Sequence, residues 1–268
     1  MKIFPLAALD PMRAASALLL AALPFMAGAA DLVLRVTGQE SLPPKWIQQD
    51  GSASTGVCPD ILAAISRIEP RIRFTGLDDI RSALVIEQNL RLGNADIACA
   101  LVSTPLRRHI AIAIPQPLYI SRQRLAAAAD DTAEINSLDD LARLNALVTT
   151  SRGAAYIDQL RARGITVDDS TGSNVTNLRK ILAGHGRYFY MNELTLHWLI
   201  REQKLQGKVK LVPAILQEDS MFLWVSKKAP PQAAPLLAAA VRKLSDSGEL
   251  ARIYARWSGE SGVGPRSD

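Results

Sequence analysis

Histidine and cysteine are scarce in this chain of 268 residues, which has three of the first and two of the second. None of His109, His185 and His197 stands at ligand spacing with a carboxylate or a cysteine, so no metal centre is expected. Two cysteines are too few for a disulfide scaffold or a metal cluster. Catalytic signatures are equally thin. The chain has no Gly-x-Ser-x-Gly elbow, no P-loop and no Gly-x-Gly-x-x-Gly turn, so neither a cofactor nor an enzymatic activity is read from it. His197 falls on an apolar helical pattern from Leu194 to Ile200 and reads as a structural residue. Aromatic residues make up 5%, and no basic block is interleaved with them. The 31 Lys and Arg against 26 Asp and Glu leave a net charge of +5, spread along the chain. A nucleic-acid interface needs a concentrated basic face, so nucleic acid is not expected as a partner. Internal repeats, low-complexity tracts and heptads are also missing.

What is present begins with an apolar run from Ala14 to Met26, which follows Arg13 and ends in Ala27-Gly28-Ala29-Ala30. A positive start, a short apolar core and a small-residue cleavage site predict an export signal over residues 1–30. The run is too short to span a bilayer stably. Asp10 and Pro11 interrupt the region ahead of it, and Met12 begins a cleaner signal. Cleavage after Ala29 or Ala30 predicts a soluble periplasmic protein, with no cysteine at the cut to carry a lipid. The remainder is long enough for one large domain or two small ones. In an oxidising compartment Cys58 and Cys99 form either a disulfide or two buried thiols. One precedes a helix, and the other lies on a strand able to pack beside it.

Strands alternate with helices along the mature chain, which predicts an α/β protein. Leu32–Val36 reads as a first strand, Asp60–Ile68 as an amphipathic helix, Arg71–Phe74 as a strand and Ile80–Leu92 as a helix stopped by Gly93. Asp96–Val102 is a small-apolar strand of the kind covered on both faces. A second series starts at Ile135. Its strands are 146–149, 188–191 and 209–212, and its helices are 154–163, 177–183 and 194–202. Extended segments at Tyr119–Ala126 and Ser220–Val225 join the two series, and two helices, Pro231–Leu244 and Glu249–Trp257, close the chain.

Between the strand at 96–102 and the next apolar run stands Ser103-Thr104-Pro105-Leu106-Arg107-Arg108. An arginine beside two hydroxyls just past a strand end is an anion clamp, because its planar fork pairs with a carboxylate in two parallel bonds. Upstream is Gly93-Asn94-Ala95-Asp96, and downstream Pro117-Leu118-Tyr119. This order resembles the phrase "Gly, two residues, Asp, then Thr-Pro-Glu-Arg, then Pro-Tyr-Tyr" of bacterial extracellular solute-binding proteins, family 3, the polar amino-acid type. Gly56-Val57-Cys58-Pro59-Asp60-Ile61 is similar to that family's entry into its first helix. Ser137-Leu138-Asp139-Asp140-Leu141 resembles its second-lobe opening, and the tail from Leu244 through Gly248 to Trp257 its closing motif.

The resemblance implies a periplasmic-binding-protein type II fold: two βα lobes joined by two hinge segments. Residues 31–119 and 220–268 would form a discontinuous first lobe and residues 120–219 the second. It implies a monomer that binds a small anionic or zwitterionic ligand and passes it to an ABC transporter permease in the inner membrane. Counting from Asp96, and back from Pro117 and Tyr119, puts the carboxylate on Arg108 with Ser103 assisting. Counting from Thr104-Pro105 selects Arg107, and the first count is preferred. Trp46 is the expected aromatic wall, with Tyr119 a second surface at the hinge. Backbone N–H groups at the turn Thr150-Ser151-Arg152-Gly153-Ala154 would receive an anionic group. Asn192 stands where the family keeps the aspartate that pairs with an α-ammonium, so the charge is lost there, and Glu193 follows one place late. Two other functions live on this fold. One is a cyclohexadienyl (prephenate or arogenate) dehydratase, with Glu193 as general acid; the other is a sensory receptor.

Overall fold

The computed structural model describes Met1 and residues 31–40, 43–48, 53–154 and 156–259. The expected export signal, including Met12 and the run from Ala14 to Ala30, lies outside the described residues, as do Leu42 and the chain from 260 onward. A first series comprises β1 (Leu32–Gln39), α1 (Val57–Ile68), β2 (Ile72–Thr75), β3 (Ile80–Arg81), α2 (Ala83–Leu92), β4 (Ile97–Leu101), α3 (Pro105–Ile110) and β5 (Ala111–Ala113). Strand β6 (Tyr119–Ala128) leads into a second series. It runs through α4 (Leu138–Arg143), β7 (Val148–Thr149), α5 (Ile157–Ala162), β8 (Val167–Asp168), α6 (Asn174–Leu182), β9 (Tyr188–Asn192), α7 (Glu193–Glu202) and β10 (Val209–Leu211). Strand β11 (Gln217–Ser226) then returns to α8 (Ala233–Asp246) and α9 (Glu249–Ser258).

Strand order along the sheet is β2-β1-β4-β11-β6-β9-β7-β8. Within each series the pairings are parallel, as βα connections require. The two crossing strands differ: β6 and β11 pair antiparallel with each other, β11 also with β4, and β6 also with β9. Among the described residues the sheet is thus continuous from one series to the other only through β6 and β11.

Apolar residues gather accordingly. Leu34 and Val36 of β1 pack with Ile61, Leu62 and Ile65 of α1 and with Leu237, Val241, Leu250 and Ile253 of the two last helices. The chain's end therefore covers the first series. Around the second series, Leu125, Leu141, Val148, Tyr188 and Tyr190 form one cluster, while Ala126, Leu178, Phe189 and Leu196 form another on the opposite side of the sheet. Strand β4 is buried at every position, in keeping with its unbroken small-apolar sequence.

Three local departures from the sequence reading have identifiable causes. Helix α2 begins at Ala83 because Ile80–Arg81 pairs with β1 and Ser82 takes the extended N-cap conformation. Helix α5 is shorter than expected, since Arg152 and Gly153 lie in a turn and the helix starts only at Ile157. Helix α3 was not foreseen at all. Thr104 caps it by accepting the Arg107 N–H, and Pro105 occupies its first turn, an arrangement that suits proline's missing donor.

Cys58 on α1 and Cys99 on β4 are joined by a disulfide, with their Cα atoms 6.0 Å apart and a sequence separation of 41. Tying off a loop of that length restricts the unfolded chain by about 4 kcal/mol in the chain-entropy treatment. The double variant Cys58→Ala/Cys99→Ala is therefore expected to melt roughly 10 °C below the oxidised protein. A melt with reductant should reproduce the shift in the unmutated chain and leave the variant unchanged.

Candidate functional site

Side chains alternate between the two faces of a strand, and this sorts the crossing strands. In the β6–β11 pair, Tyr119 stands opposite Met221, Ser121 opposite Asp219, and Gln123 opposite Gln217. These six residues share a face and all line a cavity of about 660 Å³. One wall comes from the first series, with Gln39, Lys45, Val102 and Arg107. The other comes from the second, with Ser151, Gly153, Tyr156, Asn192 and Thr195. The cavity is an interlobe cleft floored by the crossing strands.

Helix α3 decides which arginine enters it. Successive residues on a helix point about 100° apart, so Arg107 and Arg108 cannot both face the cleft. Arg107 faces it and is 8% exposed. Its Nε donates to Glu87 Oε1 at 2.9 Å and its Nη1 to the Val102 carbonyl at 2.9 Å. Its Nη2 has no hydrogen-bond partner among the described residues. Arg108 is exposed on the outer side, where its Nη1 donates to Ser103 Oγ at 2.8 Å. Neither Arg108 nor Ser103 lines the cavity, and the preference for Arg108 is corrected on this placement. The hydroxyl of Thr104 is engaged in capping.

Several other expected residues sit differently too. Trp46 is packed in the first core, 5% exposed, with its indole N–H donating to the Leu77 carbonyl at 2.9 Å. Gly38 makes room for that ring, since a Cβ there would lie 2.7 Å from it. The cleft wall beside it is Lys45. Tyr119 lines the cleft and packs on Tyr254, with ring centroids 5.1 Å apart. In the turn at 150–154, Ser151 and Gly153 reach the cavity, but the Arg152 and Ala154 N–H groups are given to the Thr171 and Ser151 carbonyls. The Ser151 hydroxyl donates to Asn174 Oδ1.

Asn192 and Glu193 part company at the end of β9. Asn192 pairs in register with Gln123 and lines the cleft, while its Oδ1 accepts the Thr195 N–H at 2.9 Å as the cap of α7. Glu193 is turned to the other face and is 2% exposed. There it meets Arg122 at 3.3 Å, Arg124 at 3.4 Å and the Tyr254 hydroxyl at 3.3 Å. A carboxylate held by two arginines on the far side of the sheet can neither receive a ligand's ammonium nor protonate a leaving group in the cleft. Both roles expected of Glu193 are withdrawn.

Lys45, Gln123, Gln217 and Asp219 were missed in the sequence. On the crossing strands the polar residues are consecutive, Ser121 to Arg124 and Gln217 to Ser220, so no apolar alternation marks which of them face the cleft. For Lys45 there was no signal either. It is 4% exposed, and its Nζ donates to Gln39 Oε1 at 2.6 Å and the Ala100 carbonyl at 2.7 Å. Ala100 holds φ 57°, a conformation that costs a non-glycine residue about 1 kcal/mol or more, and its carbonyl is one of the two oxygens holding this amine. Both partners are neutral oxygens. Burial first, and the charge of Arg107 second, lower the Lys45 ammonium from its ordinary value to about 7.

Among the described residues no helix is long and apolar enough to cross a membrane, and no cluster of His, Cys, Asp or Glu could hold a metal. The family model described as "Bacterial extracellular solute-binding proteins, family 3" matches residues 34–260. Three solved structures are similar in fold. The ligand-binding core of GluR0 in complex with L-glutamate has a TM-score of 0.70 at 18% identity, covering 87% of this chain and 100% of that one. A histidine kinase sensor domain with similarity to periplasmic binding proteins has 0.67 at 18%, covering 84% and 95%. The substrate-binding protein of an amino acid ABC transporter has 0.63 at 16%, covering 84% and 98%. No curated protein matches the chain by sequence. The fold is the type II periplasmic-binding-protein fold, two βα lobes on two crossing strands.

The lowered Lys45 value makes a prediction about stability. Its folded value lies below the unfolded one, so the unfolded chain holds the extra proton between about pH 7 and pH 10.5. Stability contributed by this group therefore rises with pH across that window, and the full penalty applies below pH 7. Lys45→Met removes the penalty. The melting temperature of the variant relative to the parent is expected to be several degrees more favourable at pH 6 than at pH 10. A difference that does not change with pH contradicts the assignment.

Proposed function

The chain belongs to the bacterial extracellular solute-binding proteins, family 3, and from that premise we propose that it captures a small carboxylate-bearing ligand in the interlobe cleft. The observation that carries this reading is Arg107. It is a buried guanidinium at the cleft wall, anchored through Nε and Nη1, with Nη2 directed to no protein acceptor among the described residues. An anchored fork is pre-organised, so little side-chain freedom is lost when a carboxylate arrives. Ser151, Gly153 and Asn192 line the opposite wall and would meet the ligand as the lobes close about β6 and β11, the hinge motion expected of two lobes on shared strands. Asn192 would meet it with its amide N–H₂, since its Oδ1 is committed to capping.

In this reading the protein is periplasmic, and its closed form hands the ligand to an ABC transporter permease in the inner membrane. The likeness to a sensor domain of a histidine kinase supports a second reading, in which the closed form reports to a membrane protein instead. Loss of ligand uptake when the gene is deleted distinguishes delivery from sensing. The dehydratase reading has lost its acid with Glu193 and is not proposed.

A thermal-shift screen of amino acids, dicarboxylates and related metabolites tests the clamp. Ligands that stabilise the parent protein are expected to be at least 30-fold weaker, as an order-of-magnitude estimate, against Arg107→Met. They should bind Arg108→Ala unchanged. The reverse pattern would return the clamp to Arg108, and binding that survives both substitutions sinks it.

A further inference from the structure

The carboxylate reading leaves Lys45 without a task. Its side chain is 4% exposed and lines the cleft on the same wall as Arg107. Lysine is almost never buried this far without an acidic partner. Among the described residues the acceptors of its Nζ are Gln39 Oε1 at 2.6 Å and the Ala100 carbonyl at 2.7 Å. Two acceptors match the two N–H bonds of a neutral amine and leave its lone pair free, whereas an ammonium has a third N–H to place. Burial and the charge of Arg107 favour the same form, holding the group at about 7. The lysine is also tied at both ends to one bridge. Its backbone carbonyl accepts the Cys58 N–H at 3.0 Å, and its amine rests on Ala100, the residue after Cys99. The two cations hang on carbonyls two residues apart, Lys45 on Ala100 and Arg107 on Val102, about 7 Å along an extended chain. That spacing suits a molecule whose carboxylate is bonded directly to an electrophilic carbon.

We propose that Lys45 forms a reversible imine with the carbonyl carbon of a 2-oxo acid whose carboxylate is held by Arg107. The proposal rests on the carboxylate reading for the ligand's acid group and adds a covalent bond at the carbon next to it. The Nζ lone pair attacks the carbonyl carbon, a C–N bond forms, and the carbonyl electron pair moves onto oxygen. The two N–H hydrogens then leave with that oxygen as water, and the C=N bond is complete. No oxidant or reductant is consumed, and the reverse reaction takes up one water to release the ligand. A desolvated lysine beside another cation is an activated nucleophile, and a carboxylate fixed on Arg107 makes the attack effectively intramolecular. A 2-oxo acid has a neutral carbonyl where an amino acid carries its ammonium, so it asks for no negative charge from the neutral Asn192 on the opposite wall.

The test incubates the full chain with pyruvate, glyoxylate or acetaldehyde in the presence of cyanoborohydride, which reduces imines in preference to free carbonyls. Adducts are read by intact mass and peptide mapping, a trapped pyruvate adding the mass of pyruvic acid less one oxygen atom. The exposed Lys204, Lys208 and Lys243 serve as internal references. Pyruvate or glyoxylate is expected to label Lys45 about 10-fold or more faster than these three, and acetaldehyde without such a preference. Arg107→Met should abolish the preference while the reference lysines label as before. Lys45→Arg keeps a cation in the wall and should lose the adduct. Labelling of Lys45 no faster than the exposed lysines overturns the proposal. So does pyruvate that stabilises the parent through Arg107 with no adduct on Lys45, and in that case the carboxylate reading stands. If acetaldehyde labels Lys45 as selectively as the acids do and Arg107→Met changes nothing, the carboxylate reading fails and the 2-oxo acid falls with it.

Discussion

Everything functional in this protein hangs on the antiparallel pairing of β6 with β11. These two strands join the lobes, and the cleft is their upper face. Because side chains alternate with a period of two, one register places Tyr119, Ser121, Gln123, Gln217, Asp219 and Met221 on the cleft side together. A slip of one residue would exchange that entire set for Arg122, Arg124 and Glu218. The ladder therefore specifies the chemistry of the cleft floor as well as the connection between the lobes.

The same alternation explains how two sets of charges coexist within a few residues. On the far face Glu193 is neutralised by Arg122 and Arg124, and Arg122 also meets Glu218 at 3.0 Å. That cluster is self-sufficient, with carboxylate and guanidinium groups satisfying each other. The cleft face is not. Among the described residues Lys45 has only neutral partners, Arg107 Nη2 has no acceptor, and the Oε1 atoms of Gln123 and Gln217 are unmet. Burying charge and polarity without partners destabilises a protein, and the cleft carries part of that cost at Lys45, Gln123 and Gln217.

Much of the fold was legible beforehand. The βα alternation, the two crossing segments and the pair of closing helices follow from apolar periodicity and from Gly and Pro punctuation. The site was legible only in part. The segment from Ser103 to Arg108 is legible as a polar turn after a strand, but which of its two arginines faces the cleft is not, because a motif count is blind to a six-residue helix that turns one of them inward and the other out. The Thr-Pro pair was the available clue, as a capping residue followed by a first-turn proline. Trp46 looked like a binding-site aromatic, and its neighbour Lys45 like any exposed lysine; the loop from Pro43 reverses them, burying the ring beside Gly38 and turning the amine into the cleft.

By itself the sequence determined the family, the lobed α/β architecture, the neutral residue at Asn192 and the pair of arginines after the strand at 96–102. Those depend on residue identities and on periods local to each segment. Tertiary structure alone decided that Arg107 faces the cleft, that Cys58 and Cys99 are joined, that Glu193 is taken by Arg122 and Arg124, and that Gln123, Gln217 and Asp219 converge. Each of these is a relation between residues distant in sequence or a choice of face. Such relations come from strand register and helix phase, which no single segment contains.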